Sequence, residues 1–593
     1  MKNNTLFTFV LFLIFIAQSF AQPDTIVLGF GSYDGMTITA SDETYDPENT
    51  VDQIGYLPNL NASSRFLTQA TLGFNLADIE NVSDIGIEDW IDEQLSIERP
   101  YNLLSSIREY HQYAIDSFDT DANSNARMWD YSWWQYHMTS EDKLRQRMAL
   151  ALSEIWVISD KSSFGNNGYA LGDYYDILLD NAFGNYRDIM EAVTYHASMG
   201  VYLTYLNNPK SDLEANTFPD ENYARELMQL FTIGLYELNT DGSRQVDADG
   251  NFIPTYDNDD IAEFSKIFTG LTWGDRDIWN RGQLKDTSYI GDLAMWNEYH
   301  EPGVKHLLNG HITQDYNPVD GDADITEALD NLFDHPSIGP FVSKALIQRM
   351  VTSNPSASFI ERVTNIFNDN GNGIKGDMAA VVKAILLDPE ALACDSAELP
   401  EFGKLKEPFI RYFQMNKAFN VYTASGNYRN DMDYIYRYVA QKPLTSPSVF
   451  NFFQSDYQPL GVVEEAGLVA PEFQITDAQT IAGWMNALFR FIVEGRIADE
   501  YDVYGGEPNE NYADEISELD FSEELLYTAD DELHILLDRL NLVLAQGRLT
   551  ESTLEKIIET IKVFPNEDED DKLNRVELAI YLTMSSPEYL IHK

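Results

Sequence analysis

Cysteine is almost absent from this 593-residue chain: Cys394 stands alone. No intramolecular disulfide framework is therefore available, and the fold must rest on its own apolar core. Basic residues are scarce as well. Against 97 Asp and Glu stand 39 Lys and Arg, a formal net charge of −58. Such a surface repels nucleic acid and anionic membranes and attracts cations. After the first residues no apolar run reaches the ~18 residues that a membrane-spanning helix needs. Nucleophile elbow, P-loop, dinucleotide fingerprint and zinc-spaced ligands are all missing, which lowers the common hydrolase, nucleotide and redox readings.

What is present begins with an export signal. Lys2, the apolar run 6–16 and Ser19-Phe20-Ala21 form a secretory leader over residues 1–21, so the mature chain is expected to start at Gln22 in the periplasm or outside the cell. Residues 22–60 read as an extended lead-in with one or two short strands. From 61 to 591 the apolar spacing is helical. The fold class this predicts is mainly α: a large multi-helix globular domain with long irregular loops and a few short strands, as one lobe or as two over 61–320 and 321–591. Two helices are predicted within 125–158, the second starting at Ser140 as its cap. Residues 274–318 have little periodicity, and 499–520 read as a solvated acidic loop.

The most informative stretch is 219–237, PDENYARELMQLFTIGLYE. As one helix it puts Tyr223, Leu227, Leu230 and Phe231 on a buried stripe, with Asn222, Arg225, Glu226 and Gln229 three or four apart. Asp220 or a neighbour can cap it, and Gly234 suits its end. Glu221 can pair with Arg225, and Asn222 with Glu226. A carboxylate beside an arginine in a partly dry setting serves as an acid/base group or a substrate clamp; the same pair equally serves as a packing brace.

Three further clusters stand out. His300-Glu301-Pro302-Gly303-Val304-Lys305-His306 sets two histidines and a lysine around a turn, suited to a metal or an anion, although a turn with exposed histidines explains it too. Asp247, Asp249 and Asn251 offer oxygen ligands around Gly250, which makes Ca2+ the candidate ion; the turn 368–373 is similar, and neither completes an EF-hand. Aromatic density at 129–136, Trp273, Trp279, Trp296 and 450–457 suits either a sugar-stacking groove or a core. His196 reads as a hydrogen-bonded core histidine.

Several stretches, in order, carry a resemblance: SRFLTQATLGFNLADIENVSDIGIEDWIDEQL, FGNYRDIMEAVTYHASMGVYL, DENYARELMQLFTIGLYELN, FSKIFTGLTW, VSKALIQRMVTSNPS, GDMAAVVKAILLDPEA, SPSVFNFF and LAIYLTMSSPEYL. Together they resemble the bacterial "domain of unknown function 1800" family over 61–591. The resemblance implies an exported, largely helical protein, often encoded beside a sulfatase-like companion, with no settled reaction. Many members carry Trp-His-Asn-His-Phe where this chain has Leu152-Ser153-Glu154-Ile155-Trp156, so a metal held by those two histidines is not expected here.

The functional expectation is an exported enzyme acting on extracellular or envelope polymer, a polysaccharide being the class in view. Glu226, Arg225 and His300 are the catalytic candidates and Asn222, Lys305 and Trp273 the substrate-binding ones. Asp247, Asp249 and Asn251 are the metal candidates. The rival is a non-catalytic envelope or surface scaffold using the same residues as a polar core.

Overall fold

Asparagine, aspartate and serine side chains start many of the helices, and the computed structural model shows them doing so. It describes residues 25–30, 34–39 and 57–593, apart from 119–122, 163, 276–278, 280–284, 394–398 and 498–515. The leader, its cleavage point and Cys394 lie outside the described residues.

The first half carries Leu57–Ala70 (α1), Leu76–Ile85 (α2), Ile87–Ser96 (α3), Leu103–Phe118 (α4), Ala126–Thr139 (α5), Lys143–Ser153 (α6), Gly168–Asp180 (α7), Tyr186–Tyr195 (α8) and Asn258–Ile267 (α9). In the second half come Gly321–Asp334 (α10), Ile338–Met350 (α11), Ala357–Asn368 (α12), Met378–Leu386 (α13), Pro408–Ala418 (α14), Ala478–Ile492 (α15), Leu533–Ala545 (α16), Glu551–Ile561 (α17) and Glu569–Ser585 (α18). Shorter helical pieces join them. Asn75 and Asp257 close capping boxes at α2 and α9, each satisfying backbone N–H groups that a helix start leaves open.

Strands are few. Among the described residues there are three two-stranded antiparallel sheets: Thr25–Phe30 (β1) with Asp34–Thr39 (β2), Leu271–Trp273 (β3) with Leu293–Met295 (β4), and Lys404–Leu405 (β5) with Ile591–His592 (β6). The fold is mainly α, as the periodicity predicts. No described helix is long and apolar enough to cross a membrane.

The core is dominated by aromatic residues of α5. Trp129, Trp133, Trp134 and Tyr136 are fully buried, and Trp133 meets Phe409 and Phe413 of α14 edge-on at 5.3 and 5.8 Å. This aromatic run is therefore core, and it is not a groove for sugars. His137 stacks on Trp133 at 3.6 Å and bonds the Trp133 carbonyl through Nδ1 at 2.7 Å. Helix α11 packs on α6, α10, α12 and the segment that follows Glu226. The apolar core thus runs without a break across residue 320.

Local departures from the sequence expectation have physical causes. The second of the paired helices begins at Lys143, not Ser140. Ser140 closes α5 instead, because Asp142 is drawn into the core by the Tyr136 hydroxyl at 2.5 Å. Helix α8 ends at His196, whose ring accepts the Ser198 N–H at 3.1 Å and faces Asp173 at 3.1 Å. His196 is thus a hydrogen-bonded core histidine. Helix α4 buries Leu103, Leu104, Ile107 and Ala114 along one stripe.

Candidate functional site

The stretch 219–237 starts as an α-helix over Asn222–Glu226, with Glu221 at the cap position and Asp220 accepting the Asn222 N–H at 2.8 Å. It then widens into a π-helix, Leu227–Thr232. Ile233 N–H reaches back five residues to the Met228 carbonyl at 3.0 Å, and the Thr232 hydroxyl bonds the Leu227 carbonyl at 2.6 Å. Such wide turns accommodate a local shift of register that often accompanies function. Gly234 ends it at φ +74°, where a Cβ would sit 3.0 Å from the Phe341 ring; only glycine fits both demands.

The sequence-named residues fall into separate places. Arg225 pairs with Glu221 at 3.0 Å on the exposed face, while Asn222 turns to Thr204 at 3.4 Å and leaves Glu226 alone. Glu226 is 7 % exposed, and its Oε2 has no hydrogen-bond partner among the described residues. Burial pushes its carboxyl up, and Arg225 only partly offsets this.

His300 and Lys305 do come together, but as a sealed cluster. His300 is fully buried, with Nδ1 2.8 Å from the Thr269 carbonyl and Nε2 2.9 Å from Asp324. Lys305 donates to the same Asp324 oxygen and to the Glu301 carbonyl at 2.6 Å. Burial pushes the Asp324 carboxyl up, but hydrogen bonds from His300 and Lys305 outweigh it and hold the group below its ordinary range. The expected turn with exposed histidines is corrected at His300. Trp273 is buried in β3, its ring edge-on to Tyr289 at 5.4 Å.

The Asp247 loop is exposed and closes on itself. Asp247 Oδ1 accepts the N–H groups of Asp249 and Asn251, both at 2.9 Å. A different carboxylate group, Asp130, Asp431 and Asp433, brings oxygens within 4.8 Å of one another. Its cation is already supplied: Lys442 Nζ lies 3.0 Å from Asp130 and 2.6 Å from Asp433.

What the structure does open is a cleft of about 420 Å³ beside the π-helix. Gln229 and Leu230 form one side. Phe341, Lys344, Ala345, Gln348 and Arg349 of α11 form another, at the spacing that puts them on one helix face. Tyr236 and Arg244 come from the following turn, and Phe450, Asn451 and Phe453 from the aromatic loop. Gln348 ties that loop down through the Ser455 carbonyl at 3.1 Å. Asn451 takes the left-handed conformation, φ +64°, which asparagine tolerates.

Glu154, just past α6, lines this cleft and also a small inner cavity of about 10 Å³ shared with Glu407, Gln441, Lys442 and Asn451, roughly the room one water needs. Glu154 and Glu407 hydrogen-bond each other. Glu407 is also held by Gln441 at 2.8 Å and Lys404 at 3.3 Å. Burial pushes Glu154 well up, and the neighbouring Glu407 adds to this against Arg349 and Lys404. Burial would raise Glu407 too, but Lys404, the Glu154 hydrogen bond and Arg147 bring it down to about 2. The two carboxyls therefore titrate as one coupled pair, with Glu154 its raised member.

Sequence reasoning missed Glu154, Arg244 and Lys344. The signal for Glu154 lay in residues 152–156, where the chain departs from the pattern of its resemblance: that stretch reaches the cleft. Three of the quoted blocks, containing Gln229, Lys344 and Phe450, line it as well. Arg244 and Lys344 had no signal, because isolated cations look alike in any sequence.

A family model described as "Protein of unknown function (DUF1800)" matches residues 65–591. No curated protein and no solved structure matches the chain.

Proposed function

We propose that this chain, which belongs to the DUF1800 family, is an exported enzyme acting on extracellular or envelope polymer, with the Glu154 cleft as its working site. The observation that carries this reading is the position of Glu154: a buried carboxyl, raised by burial and by its neighbour Glu407, at the junction of an open cleft and a small inner cavity. A carboxyl raised in this way, beside a cleft that carries aromatic faces, is suited to protonating a leaving oxygen. Glycosidases that use two carboxyls as separate acid and nucleophile or base hold them about 5 Å or more apart. A hydrogen-bonded pair instead supplies one proton from one side. Phe450, 43 % exposed, offers an apolar face for a sugar ring.

The experiment is a screen of purified mature protein for new chain ends from neutral and acidic polysaccharides. Product from the wild type and none from Glu154→Gln supports the reading. Equal product from both removes Glu154 from the chemistry.

A second reading has its own observation. Arg349 Nη2 bonds the Glu154 backbone carbonyl at 2.8 Å, and Lys404 bridges Glu407 and Glu472 at 3.3 and 3.0 Å. A network of this kind also braces a non-catalytic surface scaffold. Under that reading polymer binds in the cleft and is released unchanged.

A further inference from the structure

The charge balance of the chain makes one feature of the cleft unusual. Carboxylates outnumber cationic side chains 97 to 39, so a surface cation meets a carboxylate easily. Arg244 and Lys344 face the cleft from different elements, and neither forms an ion pair or side-chain hydrogen bond with any described residue. Arg244 is held by rings instead, its guanidinium 4.8 Å from the Tyr236 ring centre and 5.0 Å from that of Phe252. That contact fixes the group while leaving its N–H fork open.

The two cations are near enough to oppose each other. Burial lowers the Lys344 ammonium and the Arg244 charge lowers it further, with the exposed Asp456 as the opposing attraction. A bound anion would relieve that repulsion. Asn451 lies between this cleft and the inner cavity; its side chain is buried, and its Nδ2 has no hydrogen-bond partner among the described residues.

We propose that Arg244 and Lys344 form an anion subsite in the Glu154 cleft, and that its ligand is an acidic glycan bearing carboxylate or sulfate groups. This rests on the cleft being the working site. The glycan class follows from the company the cations keep: Phe450 and Tyr236 supply flat apolar faces next to the charges, as a sugar with one charged substituent requires. An acidic peptide would use the cations and leave the rings without a matching face.

The test is calorimetric titration of the full mature protein with four probes of similar length: a galacturonate oligomer, a sulfated oligosaccharide, a neutral oligosaccharide and an oligoglutamate. The subsite predicts binding of the galacturonate or sulfated probe that weakens as salt rises. Lys344→Met and Arg244→Gln are each expected to reduce that affinity by about tenfold or more, with unchanged thermal midpoints. The two acidic glycans compared show which anion is taken. If neutral and acidic glycans bind alike, or both variants bind like wild type, the subsite is wrong while the cleft survives, provided Phe450→Ala weakens binding. Oligoglutamate binding as tightly as the acidic glycans overturns the glycan class. If no glycan binds, the subsite and the cleft reading fail together.

Discussion

Glu154 and Glu407 meet at a buried cavity, where burial and Glu407 raise the Glu154 carboxyl while Lys404, 3.3 Å from Glu407, helps to hold Glu407 down. Their replacements should therefore behave differently. Glu154→Gln keeps a neutral side chain of the same shape and is expected to change stability by less than about 1 kcal/mol at pH 7. Glu407→Gln takes the charge facing Arg147 away, leaves Lys404 with Glu472 alone, and should cost about 3 kcal/mol or more. Urea denaturation of both variants checks this; equal losses would mean that the proton does not reside on Glu154.

A pH dependence follows from Glu577 of α18, which is buried to 8 % exposure. Burial pushes its carboxyl from 4.5 up to about 7. A raised carboxyl favours the protonated folded state, so its contribution is full below 4.5 and is lost as pH rises through about 7. Glu577→Gln should accordingly be more stable than wild type at pH 8, by on the order of 3 kcal/mol at most, and nearly equal to it at pH 4. Thermal midpoints across that range supply the comparison, and a gap that does not widen with pH would refute it.

His137 gives the opposite sign. Burial against Trp133 lowers its ring to about 3 from 6.5, so the folded state holds it neutral. Its contribution is present above 6.5 and is lost as pH falls toward 3. The expectation is a steeper acid destabilisation in wild type than in His137→Gln, once the variant's overall loss from imperfect core packing is subtracted. Parallel curves between pH 6.5 and 4 would contradict it.

The His300, Lys305 and Asp324 cluster is expected to be a matter of stability alone. Asp324→Asn leaves a buried lysine uncompensated and should cost about 3 to 5 kcal/mol. A milder change, His300→Gln, should leave any ligand affinity of the cleft unchanged. Loss of binding in that variant, with the fold intact, would return His300 to the site.

Much of the fold was legible because helix caps and apolar stripes are local. Asp257 before α9 and the Phe359, Ile360, Val363 and Phe367 face of α12 announce themselves within one turn or two. The second helix start slipped to Lys143 because Asp142 answers to Tyr136, a tertiary partner invisible to capping rules. Glu226 drew attention by its neighbours in sequence, yet Asn222 bonds elsewhere and Arg225 faces solvent. The cleft gathers the stretch leaving α6, the π-helix, α11 and the loop around Asn451 from distant parts of the chain. No spacing rule joins 154 to 407 or 244 to 344.

The most direct measurement of the central claim is the release of new chain ends by wild type, Glu154→Gln and Glu226→Gln from acidic and neutral polysaccharides, with binding followed in parallel. The account predicts that Glu154→Gln binds as wild type does and releases nothing, while Glu226→Gln keeps both properties. Release that survives in Glu154→Gln, or binding by wild type with no release from any polymer bound, would contradict it.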